Sequence, residues 1–158
     1  MHTETAPQAA PLPFRVGDSF GSSGRTITES DIVAFAGLSG DFNRLHVDDE
    51  YARSTRYGRR IAHGLLVLSV LSGLTTQADG YRRLEPLVLA LVDLNCRFPK
   101  PTFAGDTIHV RVTITEVRET ARPGRSEVTF RREAVNQRGE VVVQADFRML
   151  MRHEAAPA

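Results

Sequence analysis

The chain has 158 residues, 41% hydrophobic and 25% charged, the balance of one soluble globular domain long enough to bury a core. Lys and Arg number 20 against 19 Asp and Glu, for a net charge of +1, which excludes the strong basic excess of a nucleic-acid or anionic-membrane binder. Cys96 is the only cysteine, so no intramolecular disulfide forms, and a reducing, cytoplasmic setting is expected.

Residues 1–13 carry Glu4, three prolines and no apolar run, and read as a disordered tail, not a signal peptide. Residues 153–158 read as a second tail, leaving 14–152 as one domain. Arg25 to Ile27 is a short extended piece. Thr28 then stands as an N-cap with Asp31 in the capping-box position, which predicts a helix from Glu29 to about Leu38. Ser39 to Asn43 is turn chemistry, and Asp48 or Asp49 caps a second short helix through Ala52. Gly64 to Gln77 is apolar on nearly every face, the mark of a buried central helix. Its run from Leu65 to Leu74 is broken by Ser69, Ser72 and Gly73 and falls short of the roughly 20 residues that span a bilayer.

The second half reads as strands. The continuous apolar run Leu87 to Val92 predicts a strand covered on both faces, ending before Pro99. Ile108, Val110, Val112 and Ile114 alternate with polar residues, as in a half-buried strand, with His109 outward. Ser126 to Val135 and Val141 to Met151 are two more strands joined through Asn136 to Gly139. Short turns between successive strands imply an antiparallel meander, so the fold class is α+β, one long buried helix against an antiparallel sheet.

Two segments carry candidate chemistry. Asp41 and His46 place a carboxylate and an imidazole five positions apart in a predicted loop, the parts needed to hold and deprotonate a water. By themselves they read as an Asx-turn residue and a hydrogen-bonded loop histidine. Ile61-Ala62-His63-Gly64 opens the buried helix, where free amides and the helix dipole stabilise a developing oxyanion and a glycine admits close approach. The alternative is a tightly packed helix start capped by His63. Arg59, Arg60, Arg97 and Lys100 are candidate contacts for anionic phosphates, or solvated surface cations. Cys96 reads as a small buried hydrophobe. No spacing of His, Cys and carboxylates suggests a metal site.

The run Gly40-Asp41-x-Asn43-x-x-His46-x-Asp48, then Ile61-Ala62-His63-Gly64, then Arg97-Phe98-x-x-Pro101-x-x-x-Gly105-Asp106-Thr107 resembles the MaoC-like family, which includes the R-specific enoyl-CoA hydratases. The resemblance covers about residues 14–152. It implies a hot-dog fold and a homodimer. It implies hydration of a 2-enoyl thioester, on CoA or an acyl-carrier protein, to an (R)-3-hydroxyacyl thioester. Asp41 and His46 would hold the water and the Gly64 amide the thioester carbonyl, with His63 and Asn43 counted beside Gly64 as oxyanion and substrate-binding residues, Asn43 orienting the loop. No metal, flavin or nicotinamide is implied, since hydration is not a redox step. Arg44 stands where the family usually has proline. A hot-dog thioesterase and a non-catalytic subunit of a heteromeric dehydratase are the rival readings.

Overall fold

The computed structural model describes residues 12–153. The tail assigned to residues 1–13 therefore lies almost wholly outside the described residues, as do residues 154–158.

Two short strands, β1 (Ser19–Gly21) and β2 (Arg25–Thr26), precede helix α1 (Glu29–Ser39). The predicted capping box holds α1: the Thr28 side chain accepts from Asp31 N, and the Asp31 carboxylate accepts from Thr28 N at 2.8 Å. The helix stops at Gly40, whose φ of 75° closes the C-cap and turns the chain toward Asp41. Two short helices follow, α2 (Arg44–Val47) and α3 (Asp49–Arg53), the second capped by Asp48 as expected. The segment read as a loop through His46 is thus partly a helical turn, which Asn43 starts by accepting from Leu45 N.

The central helix α4 (Gly64–Gln77) has the predicted limits. Val67, Leu71 and Leu74 are buried, and α4 packs on β4 (Thr107–Glu119), β5 (Arg125–Asn136) and β6 (Val141–Arg152). A further short helix, α5 (Asp79–Arg82), leads by a 3-10 turn into β3 (Val88–Arg97).

Every strand pairing is antiparallel, in the order β1-β4-β5-β6-β3, with β2 also on β4. An antiparallel sheet wrapped on one long helix is the hot-dog fold, α+β. The strand over Leu87–Val92 differs from the reading as one covered on both faces. As β3 it is an edge strand, paired among the described residues only with β6, and Leu89, Leu91, Val92 and Leu94 are all exposed. Its apolar run therefore marks a surface unmet within one chain. Cys96 is half-buried, and burial pushes its thiol pKa up. His153 is tied down: its N–H donates to Gly124 O at 2.9 Å, and its Nε2 lies 2.8 Å from Ser126 Oγ.

Candidate active site

The α1 cap delivers Asp41 to the surface, where its Oδ1 accepts from Asn43 N at 3.2 Å in an Asx turn. That bond orients the carboxylate without burying it, and Asp41 remains exposed. One turn later His46 lies half-buried in α2. Its Nδ1 is 2.8 Å from the carbonyl oxygen of Ile61. A carbonyl only accepts, so the hydrogen is on Nδ1 and, in the neutral ring, Nε2 carries the free lone pair. Burial holds the His46 pKa below the ordinary histidine value; the Ile61 hydrogen bond opposes this, the neighbouring His63 adds to it, and the Asp41 carboxylate opposes it.

His63, the residue before α4, is 2% exposed and makes no cap bond to that helix. It turns the other way, with Nε2 3.0 Å from the backbone oxygen of Asp41 and its ring stacked on His46, centroids 3.8 Å apart. One potential ligating atom from each of Asp41, His46 and His63 falls within 4.8 Å of the others, a grouping that sequence spacing did not reveal. The separation suits a bridging water, which reaches about 2.8 Å to each partner. His46 and His63 each commit one ring nitrogen to a carbonyl; the Nε2 lone pair of His46 is left to meet such a water, whereas Nδ1 of His63 is buried without a partner.

Gly64, at the first position of α4, carries an amide without an intrahelical acceptor. It borders a cavity of about 590 Å³ lined also by Tyr57, Ile61, Leu65, Phe98 and Val142. Ile61 joins the two halves of the site, lining the cavity and accepting from His46 with its carbonyl. A Cβ on Gly64 would meet the Phe98 ring at 2.8 Å, so any larger residue here would have to displace that ring. Phe98 follows the edge strand β3 and was not singled out as a site residue. The Arg97-Phe98 pair in the third motif was the available signal.

The four cationic candidates are divided between the cavity rim and the surface. Lys100 lines the cavity but is paired with Glu140 at 2.7 Å, and hydrogen bonds from Asn136, Lys100 and Arg138 pull the Glu140 carboxyl down to about 2. Arg97 is exposed beside Arg131 and Asp146 on the sheet, apart from the cavity. Arg60 is held by Glu29 and Asp49, and Arg59 stacks on Phe103 at 4.1 Å. Arg44 bonds Asp48 at 3.0 Å and lies over the Tyr51 ring, 4.5 Å from its centroid. It thus braces the loop that the usual proline would stiffen.

The family model of the MaoC like domain matches residues 13–136. An (R)-specific enoyl-CoA hydratase of Rhodospirillum rubrum is 37% identical over 125 residues, covering 79% of this chain and 80% of that protein. Protein MaoC of Klebsiella aerogenes is 40% identical over 97 residues, covering 61% of this chain but 28% of that longer protein. Among solved structures, a MaoC-like dehydratase from Rhodospirillum rubrum superposes with a TM-score of 0.81 at 29% identity, covering 92% of this chain and 96% of that one.

Proposed function

The chain belongs to the MaoC-like domain family, and on that premise we propose that it is a hydro-lyase interconverting a 2-enoyl thioester and an (R)-3-hydroxyacyl thioester. The observation that carries this reading is the grouping of Asp41 and His46, whose Nε2 is left unprotonated, around His63, the residue that precedes the free amide of Gly64.

In this reading a water bridges Asp41 and His46. The thioester carbonyl accepts from the Gly64 N–H, where the dipole of α4 favours the negative charge that develops. The water oxygen bonds to C3 while His46 Nε2 takes its proton. The C2–C3 π electrons move toward the carbonyl, giving an enolate at Gly64. A proton returned from the Asp41 and His46 pair to C2 completes the product, and no electrons leave the substrate. Asn43 holds the loop and touches no reacting atom. The cavity beside Gly64 receives the substrate, and the reaction requires no cofactor beyond the carrier of the acyl group.

The partner in this reading is a second copy of the chain. Edge strand β3 leaves Leu89, Leu91, Val92 and Leu94 exposed, and pairing two such edges covers both apolar strips and satisfies both open ladders.

The test is to follow crotonyl-CoA and a medium-chain enoyl-CoA by loss of enoyl-thioester absorbance, with free thiol measured in parallel. Hydration without thiol release is the expected result. Thiol release from a saturated acyl-CoA without hydration would assign the site to thioester hydrolysis instead.

A further inference from the structure

Asp41 and His46 sit on weak supports. Asp41, Phe42 and Asn43 are exposed, and α2 has four residues, too few to hold itself. Whatever fixes their separation must come from the rigid body beneath, and the structure offers the segment 60–63, where α4 begins. Arg60 Nη1 donates to the His46 carbonyl at 3.4 Å, the Ile61 carbonyl takes His46 Nδ1–H, and His63 meets both functional residues.

His63 is enclosed. His46 covers one side of its ring at 3.8 Å with planes 30° apart, and Phe35 of α1 packs at 5.1 Å. Its Nε2–H donates to the Asp41 backbone oxygen, while Nδ1 is buried without a partner. A buried nitrogen left unpaired is costly, and a plain aromatic ring would fill this space without that cost. The imidazole is accounted for by its other nitrogen, which ties the Asp41 loop to the start of α4.

We propose that His63 is a positioning residue: it holds the His46 ring by stacking and the Asp41 backbone by one hydrogen bond, and so sets the gap that the water bridges. It touches no substrate atom. The inference deepens the hydratase reading and rests on it for its kinetic consequence, but not for its structural one. Among the described residues, the ionisable neighbours that bear on His46 are His63, Asp41 and Arg60, the last through the His46 carbonyl.

The test uses two substitutions in the full chain. His63→Phe keeps a ring for the stack and removes the donor. His63→Gln keeps a donor and removes the stack. The readouts are kcat and KM for the enoyl thioester and the imidazole nitrogen resonances of His46, titrated by NMR without substrate. Misplacing reacting groups by about 1 Å costs on the order of 100-fold, so kcat falls roughly 10- to 100-fold in each variant while KM stays within about threefold. The His46 midpoint moves upward in His63→Phe, because the imidazole that disfavours its charge is gone.

If both folded variants keep wild-type kcat and an unmoved His46 titration, His63 is packing alone and the proposal is overturned. A loss confined to KM would overturn it too, by making His63 a substrate contact. Should His63→Phe not fold, the kcat and resonances of His63→Gln decide. A wild-type protein inert toward every enoyl thioester would remove the hydratase reading, and the His46 titration would still decide whether His63 positions it.

Discussion

His46 is prepared as a base by where its other nitrogen goes. With Nδ1–H on the Ile61 carbonyl, the Nε2 lone pair is free to meet a water, and burial keeps the ring from taking a proton too early. The folded pKa lies below the ordinary histidine value of 6.5, so the neutral, active form persists down through pH 6.5. The acidic limb of kcat/KM is therefore expected below pH 6.5. Asp41→Asn should move the His46 titration lower still, since the carboxylate favours the cation. The pH profile of kcat/KM checks the first and proton NMR of the ring the second, and a limb above pH 6.5 would contradict the assignment. Asp41 and His46 were legible from residue type and spacing. The tautomer was not, because it depends on a carbonyl fifteen residues away, and neither was the pairing of Lys100 with Glu140 forty residues on. Such partners are set by tertiary folding, which spacing along one segment does not encode.

At the scale of elements, α1 works as a lever that ends at the reactive loop. Its Thr28 and Asp31 box fixes the start, and Gly40 in the left-handed region fixes the exit to Asp41. Thr28→Ala is expected to cost about 1 kcal/mol of unfolding free energy, measured by urea denaturation, with the slope of the transition unchanged. No change in stability would mean that packing of Ile32 and Ala36 alone holds this helix. The helices were readable because caps and apolar periodicity are local signals: Thr28 with Asp31, and the all-round apolar face of Gly64 to Gln77. The strands β4, β5 and β6 were readable from alternation and turns. Strand β3 was misread for a physical reason. An apolar run says that a strand avoids water, and it does not say whether the cover comes from the same chain or another.

For the whole molecule, that distinction becomes a prediction about assembly. Two copies joined along β3 would bury Leu89, Leu91 and Leu94, so light scattering should give twice the chain mass. Leu91→Lys with Leu94→Lys should return the protein to monomer, since edge lysines block strand pairing. A wild-type monomer would contradict the proposed dimer without touching the site, whose Asp41, His46, His63 and Gly64 all come from one chain.

The most direct test of the central claim compares hydration of crotonyl-CoA by wild type, Asp41→Asn and His46→Gln, with the configuration of the product determined. The account predicts (R)-3-hydroxybutyryl-CoA from wild type and a fall of at least about 100-fold in each folded variant, in line with the usual contribution of a positioned acid or base. Wild-type rates in either variant would show that Asp41 and His46 do not share the reacting water.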